Sequence, residues 1–120
     1  MHRWYNPVPC QDQGIERFPY PYAYQWPYNK GETCLDDLFA MLKMLLNSSQ
    51  TSLGNPSDGV NNIAAMIVEP CQSSSGYIVP PRGFLKRLRE LADEYNFILI
   101  FDEIQTGLGR TGKMWACEHE

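Results

Sequence analysis

Two carboxylates, an amide and a glycine-rich loop mark where this chain could do chemistry. Glu69 closes the apolar run IAAMIV, Asp102 closes the run FILIF, and Gln105 follows three residues later. Next comes Gly107-Leu108-Gly109-Arg110-Thr111-Gly112-Lys113. Carboxylates brought into one crevice can stabilise positive charge on a ligand. A glycine-rich backbone can approach a phosphate closely.

The glycine loop supports three readings. Gly107, Gly109 and Gly112 satisfy G-x-G-x-x-G after a strand, but Asp102 to Thr106 intervene where a dinucleotide site turns at once into a helix. The acidic ribose ligand expected about twenty residues on would fall beyond Glu120. Gly107, Gly112 and Lys113 also nearly spell a phosphate loop, yet Met114 stands where Ser or Thr must hold magnesium. A thioether cannot replace that hydroxyl, because a hard cation wants oxygen. In the third reading the loop is a turn whose Arg110 and Lys113 are solvated charges. A nucleotide- or phosphate-binding module using residues 107–113 therefore stands as one alternative function.

The elements that must position these residues follow from apolar spacing. Residues 63–68, IAAMIV, read as a short strand buried on both faces and ended by Glu69-Pro70. After Pro80-Pro81, the residues Phe84, Leu85, Leu88, Leu91, Ala92 and Tyr95 share one helical face, with Lys86, Arg87, Arg89 and Glu90 on the other. FILIF, 97–101, reads as a second buried strand. Strand, helix and strand over 63–102 predict a βαβ unit with parallel strands and a right-handed crossover. Ligands of open α/β sheets sit outside the carboxyl ends of the strands, so Glu69, Asp102 and the loops QSSSG and IQTGLGRTGK are expected around one crevice.

Upstream, Thr33 with Asp36 resembles a capping box, and Leu35, Leu38, Leu42, Leu45 and Leu46 recur at helical spacing, predicting a helix over 34–46. Met41 and Met44 read as core filler within it. Residues 1–31 carry five prolines and eight aromatics, which forbids a regular helix and predicts an extended segment laying rings on a neighbouring surface. Residues 47–62, rich in Ser, Asn, Gly and Pro, read as a surface loop.

Composition bounds the function. The chain has 120 residues, 43% hydrophobic and 20% charged, and a net charge of -4. That is enough apolar material for a core. The acidic balance argues against nucleic-acid and membrane-surface partners, both of which need a basic patch. Cys10, Cys34, Cys71 and Cys117 form no C-x-x-C pair, so no zinc site is expected. The opening residues MHRWYNPVPC hold no apolar signal stretch and no run is long enough to cross a bilayer, so a cytoplasmic chain with reduced thiols is expected.

The string IAAMIVEPCQSSSGYIVPPRGFLKRLRELADEYNFILIFDEIQTGLGRTGKMWACEH closely resembles the class III pyridoxal-phosphate-dependent aminotransferases of fold type I. The resemblance spans about residues 18–120, includes PYPYAYQWPY, and runs through strand, helix, strand and loop. It implies an α/β fold, part of a three-layer α/β/α large domain with a mainly parallel sheet, in which residues 103–113 form a cofactor loop. It implies pyridoxal 5'-phosphate as cofactor and transfer of an amino group from an amine or ω-amino acid, of the 4-aminobutyrate or ornithine kind, to a 2-oxo acid acceptor. It implies a homodimer as well.

Residue by residue, the resemblance assigns Asp102 to a charge pair with the protonated pyridine nitrogen of the cofactor. Gln105 matches the glutamine that hydrogen-bonds its phenolic oxygen, and Glu69 matches the acid of an E-P motif lining the site wall. Two departures accompany these matches. Ser74 stands where many members carry a Glu that gates an arginine for the acceptor carboxylate, so a pyruvate-like acceptor fits as well as 2-oxoglutarate. The lysine that links the cofactor covalently lies downstream of the D-E-x-Q motif in the family, and Lys113 is not in its place, so no catalytic lysine is expected within residues 1–120. An internal fragment of the large domain is the reading this favours, with a non-catalytic truncated product as a further alternative.

Overall fold

The computed structural model describes residues 15–27, 31, 33–48 and 63–120. The early part of the Pro- and aromatic-rich segment and most of the 47–62 loop, with Cys10, lie outside the described residues. In chain order the elements are α1 (Cys34–Leu46), β1 (Ala65–Val68), α2 (Phe84–Tyr95) and β2 (Ile98–Phe101). Single turns of 3-10 helix stand at Ala23–Gln25 and Ala116–His119.

β1 and β2 pair in parallel, Ala65 with Ile98 through Val68 with Phe101, and α2 is the crossover between them. Short runs of β-branched and aromatic residues suit this pleated pairing. Alternation divides each strand: Met66, Val68, Leu99 and Phe101 face the helices, whereas Ile67, Ile98 and Ile100 are 63%, 66% and 43% exposed. The sequence predicted strands buried on both faces. Among the described residues the helices cover only one face, and the isoleucines of the other face stand exposed.

α2 buries all six residues of its predicted face, and Phe84 and Leu88 are fully enclosed. Each such side chain contributes roughly 1.5–3 kcal/mol on leaving water. Gly83 precedes it at a φ of 89°, in the left-handed region that glycine reaches without steric cost. The first N–H groups of α2 are satisfied from a distance: the Glu120 carboxylate accepts from Gly83 N at 2.7 Å and from Leu85 N at 2.8 Å. A carboxylate is favoured at this positive end of the helix.

α1 buries Cys34, Leu38, Phe39, Leu42 and Leu46, the last four in one core with residues of α2 and β1. Met41 packs partly against that core, but Met44 is 65% exposed, so only one of the two methionines fills the interior. The expected capping box does not form. Thr33 is the N-cap but makes no side-chain cap bond; its hydroxyl donates instead to Asp37 Oδ2 at 2.7 Å. The same oxygen accepts from the Trp26 indole at 2.9 Å, and both bonds are charge-assisted. These bonds hold the Asp37 carboxyl below the usual carboxylate range. Arg87 joins the helices from the outside, 2.8 Å from Asp36 and 4.3 Å above the Phe39 ring.

The described part of the aromatic segment lies on this body as an extended stretch with a 3-10 turn at Ala23–Gln25. Pro21 is buried, and the Tyr20 ring meets Phe84 edge-on at 5.5 Å. No helix among the described residues is long and apolar enough to cross a membrane.

Candidate active site

The register of the parallel pair brings the chemistry-bearing residues to one edge. Asp102 N donates to Val68 O at 2.9 Å, extending the ladder one step past β2. Glu69 and Asp102 therefore follow Val68 and Phe101 at the carboxyl ends of neighbouring strands. The sequence expectation that the two acids share a sheet edge holds.

Behind Glu69 the chain QSSSGYI folds into a small hairpin. Gln72 and Ile78 exchange backbone hydrogen bonds at 3.0 and 2.9 Å, with a turn at 73–76. Gly76 and Tyr77 take positive φ, at 106° and 57°. Glu69 Oε2 accepts from Ser73 N at 3.0 Å and from its hydroxyl at 3.3 Å, so this carboxylate is turned toward its own hairpin. Ser74 sits exposed at the tip. Beneath, the Tyr20 hydroxyl donates to the carbonyls of Glu69 and Pro70.

Beyond β2, Asp102 is half-buried. Its Oδ1 accepts from Ile104 N at 3.1 Å, while Oδ2 accepts from no donor among the described residues. Gln105 is exposed on the following turn, its amide likewise unbonded among those residues. An unengaged carboxylate oxygen with a free amide one turn away is a donor set suited to a cationic ring nitrogen and a neighbouring oxygen. The chemistry of these two residues thus fits the pyridine ring of pyridoxal phosphate.

Sequence reasoning missed the residues that shape this loop. Glu103 Oε1 accepts from Cys117 N at 2.9 Å, and its Oε2 accepts from Ala116 N at 3.1 Å and from the Thr106 hydroxyl. Thr106 is only 4% exposed. Burial pushes the Glu103 carboxyl up, but the bonds from Thr106, Cys117 and Ala116 outweigh it and hold it below the usual carboxylate range. Gly107 is pressed against Trp115: a Cβ there would lie 2.8 Å from the indole ring and 3.0 Å from Glu103 O. The available signal was the Glu-x-x-Thr spacing inside DEIQT, which lets the two side chains meet across one turn.

The 107–113 loop runs through turns, with Leu108 at a φ of 56° and Gly109 and Gly112 at 83° and 93°. Lys113 Nζ donates to Glu118 O, and the His119 ring nitrogen Nε2 lies 3.0 Å from Thr111 O. The chain then enters the four-residue 3-10 turn Ala116–His119. Both nucleotide readings need a helix N-terminus at the last glycine, and the loop delivers none. The groove between α1 and α2, about 180 Å³ and lined by Phe39, Lys43, Arg87, Glu90, Leu91 and Glu94, is formed by other elements than this edge.

Comparison with known proteins places the fold and the family. An amine transaminase from an uncultivated Pseudomonas species, solved in its PLP-bound form, is 32% identical with a TM-score of 0.66, the match covering 81% of this chain and 20% of that one. The ω-transaminase of Pseudomonas jessenii, solved in complex with PMP, is 28% identical with a TM-score of 0.73, over 94% of this chain and 22% of that one. This chain therefore spans about a fifth of the length of either structure. The fold is that of the fold type I transaminases, α/β with a parallel sheet. The family model described as aminotransferase class III matches residues 5–120, and the chain belongs to that family.

Proposed function

We propose that this chain forms part of the cofactor-binding large domain of a pyridoxal-phosphate-dependent aminotransferase, which moves an amino group from an amine or ω-amino acid to a 2-oxo acid. When bound, the cofactor supplies an electron sink for the electrons left as the substrate's Cα–H bond breaks. With the cofactor bound, Asp102 Oδ2 would accept a hydrogen bond from the protonated ring nitrogen and favour its charged form. At about 4 Å and an effective dielectric near 20, such a pair contributes about 4 kcal/mol to keeping that nitrogen charged. Gln105 would donate to the phenolic oxygen without adding charge. Glu69, engaged with Ser73, forms the wall beside them.

The observation that carries the reading is Asp102 Oδ2 at the end of β2, free among the described residues, with a Gln105 amide, unbonded among the same residues, on the turn that follows. A homodimer and a cytoplasmic location belong to the same proposal. So does an acceptor not selected by a Glu–Arg gate, because Ser74 offers no carboxylate. Asp102→Ala in the holoenzyme that carries this chain tests it. Amino transfer from an amine to pyruvate or 2-oxoglutarate is expected to be abolished; turnover at the unsubstituted rate would overturn the assignment.

A further inference from the structure

We propose that Glu103 is a positioning residue, its carboxylate tying together the two ends of the 103–117 loop so that Asp102 and Gln105 are held at the angle the cofactor requires. The role rests on the pyridoxal-phosphate reading above. Gly107 N donates to Glu103 O at 2.9 Å, so residues 103–107 make a single α-turn. Residues three apart on such a turn face the same way. Glu103 and Thr106 form one pair, and both point into the loop: Thr106 is buried and its hydroxyl meets Glu103 Oε2. Asp102, just before the turn, and Gln105, on it, both keep polar atoms unengaged among the described residues.

The clamp reaches far along the chain. Besides Thr106, Glu103 takes the N–H groups of Ala116 and Cys117, which lie 13 and 14 residues on. Gly107 and Trp115 close the same loop from inside by direct contact, leaving no room for a Cβ. A carboxylate can accept from three donors at once. An amide in its place offers one oxygen and one NH2 group, and the NH2 group must face an N–H that also donates, so at least one of the three bonds is lost.

The experiment uses the holoenzyme that carries this chain, with Glu103→Gln, Thr106→Val and Thr106→Ser. Three quantities are measured: amide hydrogen exchange of the cofactor-free protein, the dissociation constant for pyridoxal phosphate by equilibrium dialysis, and the pH midpoint of the bound cofactor's visible band. Glu103→Gln is expected to speed exchange at Ala116 and Cys117 while leaving Leu88 to Ala92 unchanged, to weaken cofactor binding by about tenfold, the effect of losing one charge-assisted hydrogen bond, and to move the pH midpoint. Thr106→Val is expected to give a smaller change in the same direction, and Thr106→Ser, which keeps the hydroxyl, none. Unchanged affinity and an unmoved midpoint in both Glu103→Gln and Thr106→Val would overturn the proposal even if exchange quickens, because Glu103 would then be a loop staple alone. If Glu103→Gln does not fold, Thr106→Val decides. If the unsubstituted protein binds no pyridoxal phosphate, the cofactor reading falls and this proposal with it, an outcome distinct from normal binding by all variants.

Discussion

The Tyr20 hydroxyl donates to Glu69 O at 3.0 Å and to Pro70 O at 3.1 Å, joining residues 49 and 50 positions apart in sequence. These carbonyls lie where β1 stops and its ladder no longer provides partners. A buried carbonyl without a donor costs free energy, so the aromatic segment supplies what the strand cannot. The same ring packs on Phe84 at the start of α2. One side chain thus fixes the aromatic segment, the crossover helix and the edge that carries Glu69.

Tyr20→Phe separates these roles. The ring contacts stay and the hydroxyl goes, so stability is expected to fall by about 1 kcal/mol, measured by urea denaturation. Tyr20→Ala also removes the packing and is expected to cost about 3 kcal/mol. Burial, with Cys71 and Glu69 nearby, pushes the phenol well above its ordinary range. Its folded form therefore keeps the proton when the unfolded chain has lost it. That stabilisation is complete below about pH 10, the unfolded value, and declines as pH rises further. The decline should be absent in Tyr20→Phe.

Gly107→Ala places a methyl group 2.8 Å from the Trp115 ring and 3.0 Å from the Glu103 carbonyl. Overpacking of this kind costs about 1–3 kcal/mol. Lowered thermal stability with altered Trp115 fluorescence is the expected outcome. Adding Trp115→Ala should restore most of the loss, because the ring supplies the two shorter contacts. No recovery in the double variant would place the strain at the Glu103 carbonyl instead.

Much of this arrangement was legible in the sequence because apolar period and strand ends are local signals. Phe84, Leu85, Leu88, Leu91, Ala92 and Tyr95 mark the face of α2 by spacing alone, and Asp102 is legible because FILIF stops there. What escaped depended on partners distant in sequence. Nothing near Glu103 announces that it will accept from Ala116 and Cys117, nor does Glu120 announce that it will reach the first turn of α2. Thr33 misled because its local capping pattern was correct but its hydroxyl bonds Asp37 Oδ2, an oxygen that Trp26 also reaches from outside the pattern. The strand faces misled for another reason: continuous apolar runs signal burial on both sides, and here one side faces outward with Ile98 66% exposed.

Leu88→Ala compares burial with surface charge. Leu88 is fully enclosed in the core that α1 and α2 share with the inner strand faces, so the substitution is expected to cost about 2–5 kcal/mol. Asp36→Asn removes the 2.8 Å pair with Arg87 on the outside of the same helices. Asp36 is largely exposed, and such pairs contribute about 0–1 kcal/mol, less in salt. Denaturation of both variants at low and at 0.5 M salt, about 4 Å of screening length, should show a large salt-independent loss for Leu88→Ala. The loss for Asp36→Asn should be small and vanish in salt.

The Glu103 clamp predicts an acid limb of stability. Its carboxyl is held below the ordinary range in the folded protein because Thr106, Cys117 and Ala116 favour the charged form more than burial opposes it. The unfolded chain takes up a proton near pH 4.3, about the usual glutamate value, before the folded chain does. The contribution is therefore fully present above that pH and is lost as pH falls through the folded value. Hydrogen exchange at Ala116 and Cys117, corrected for the intrinsic pH dependence of exchange, should rise over this window while Leu88 to Ala92 stay protected. In Glu103→Gln no proton is taken up at this site, so its loop amides should exchange fast at every pH and show no acid limb. A limb of the same size in both proteins would assign it to another carboxylate.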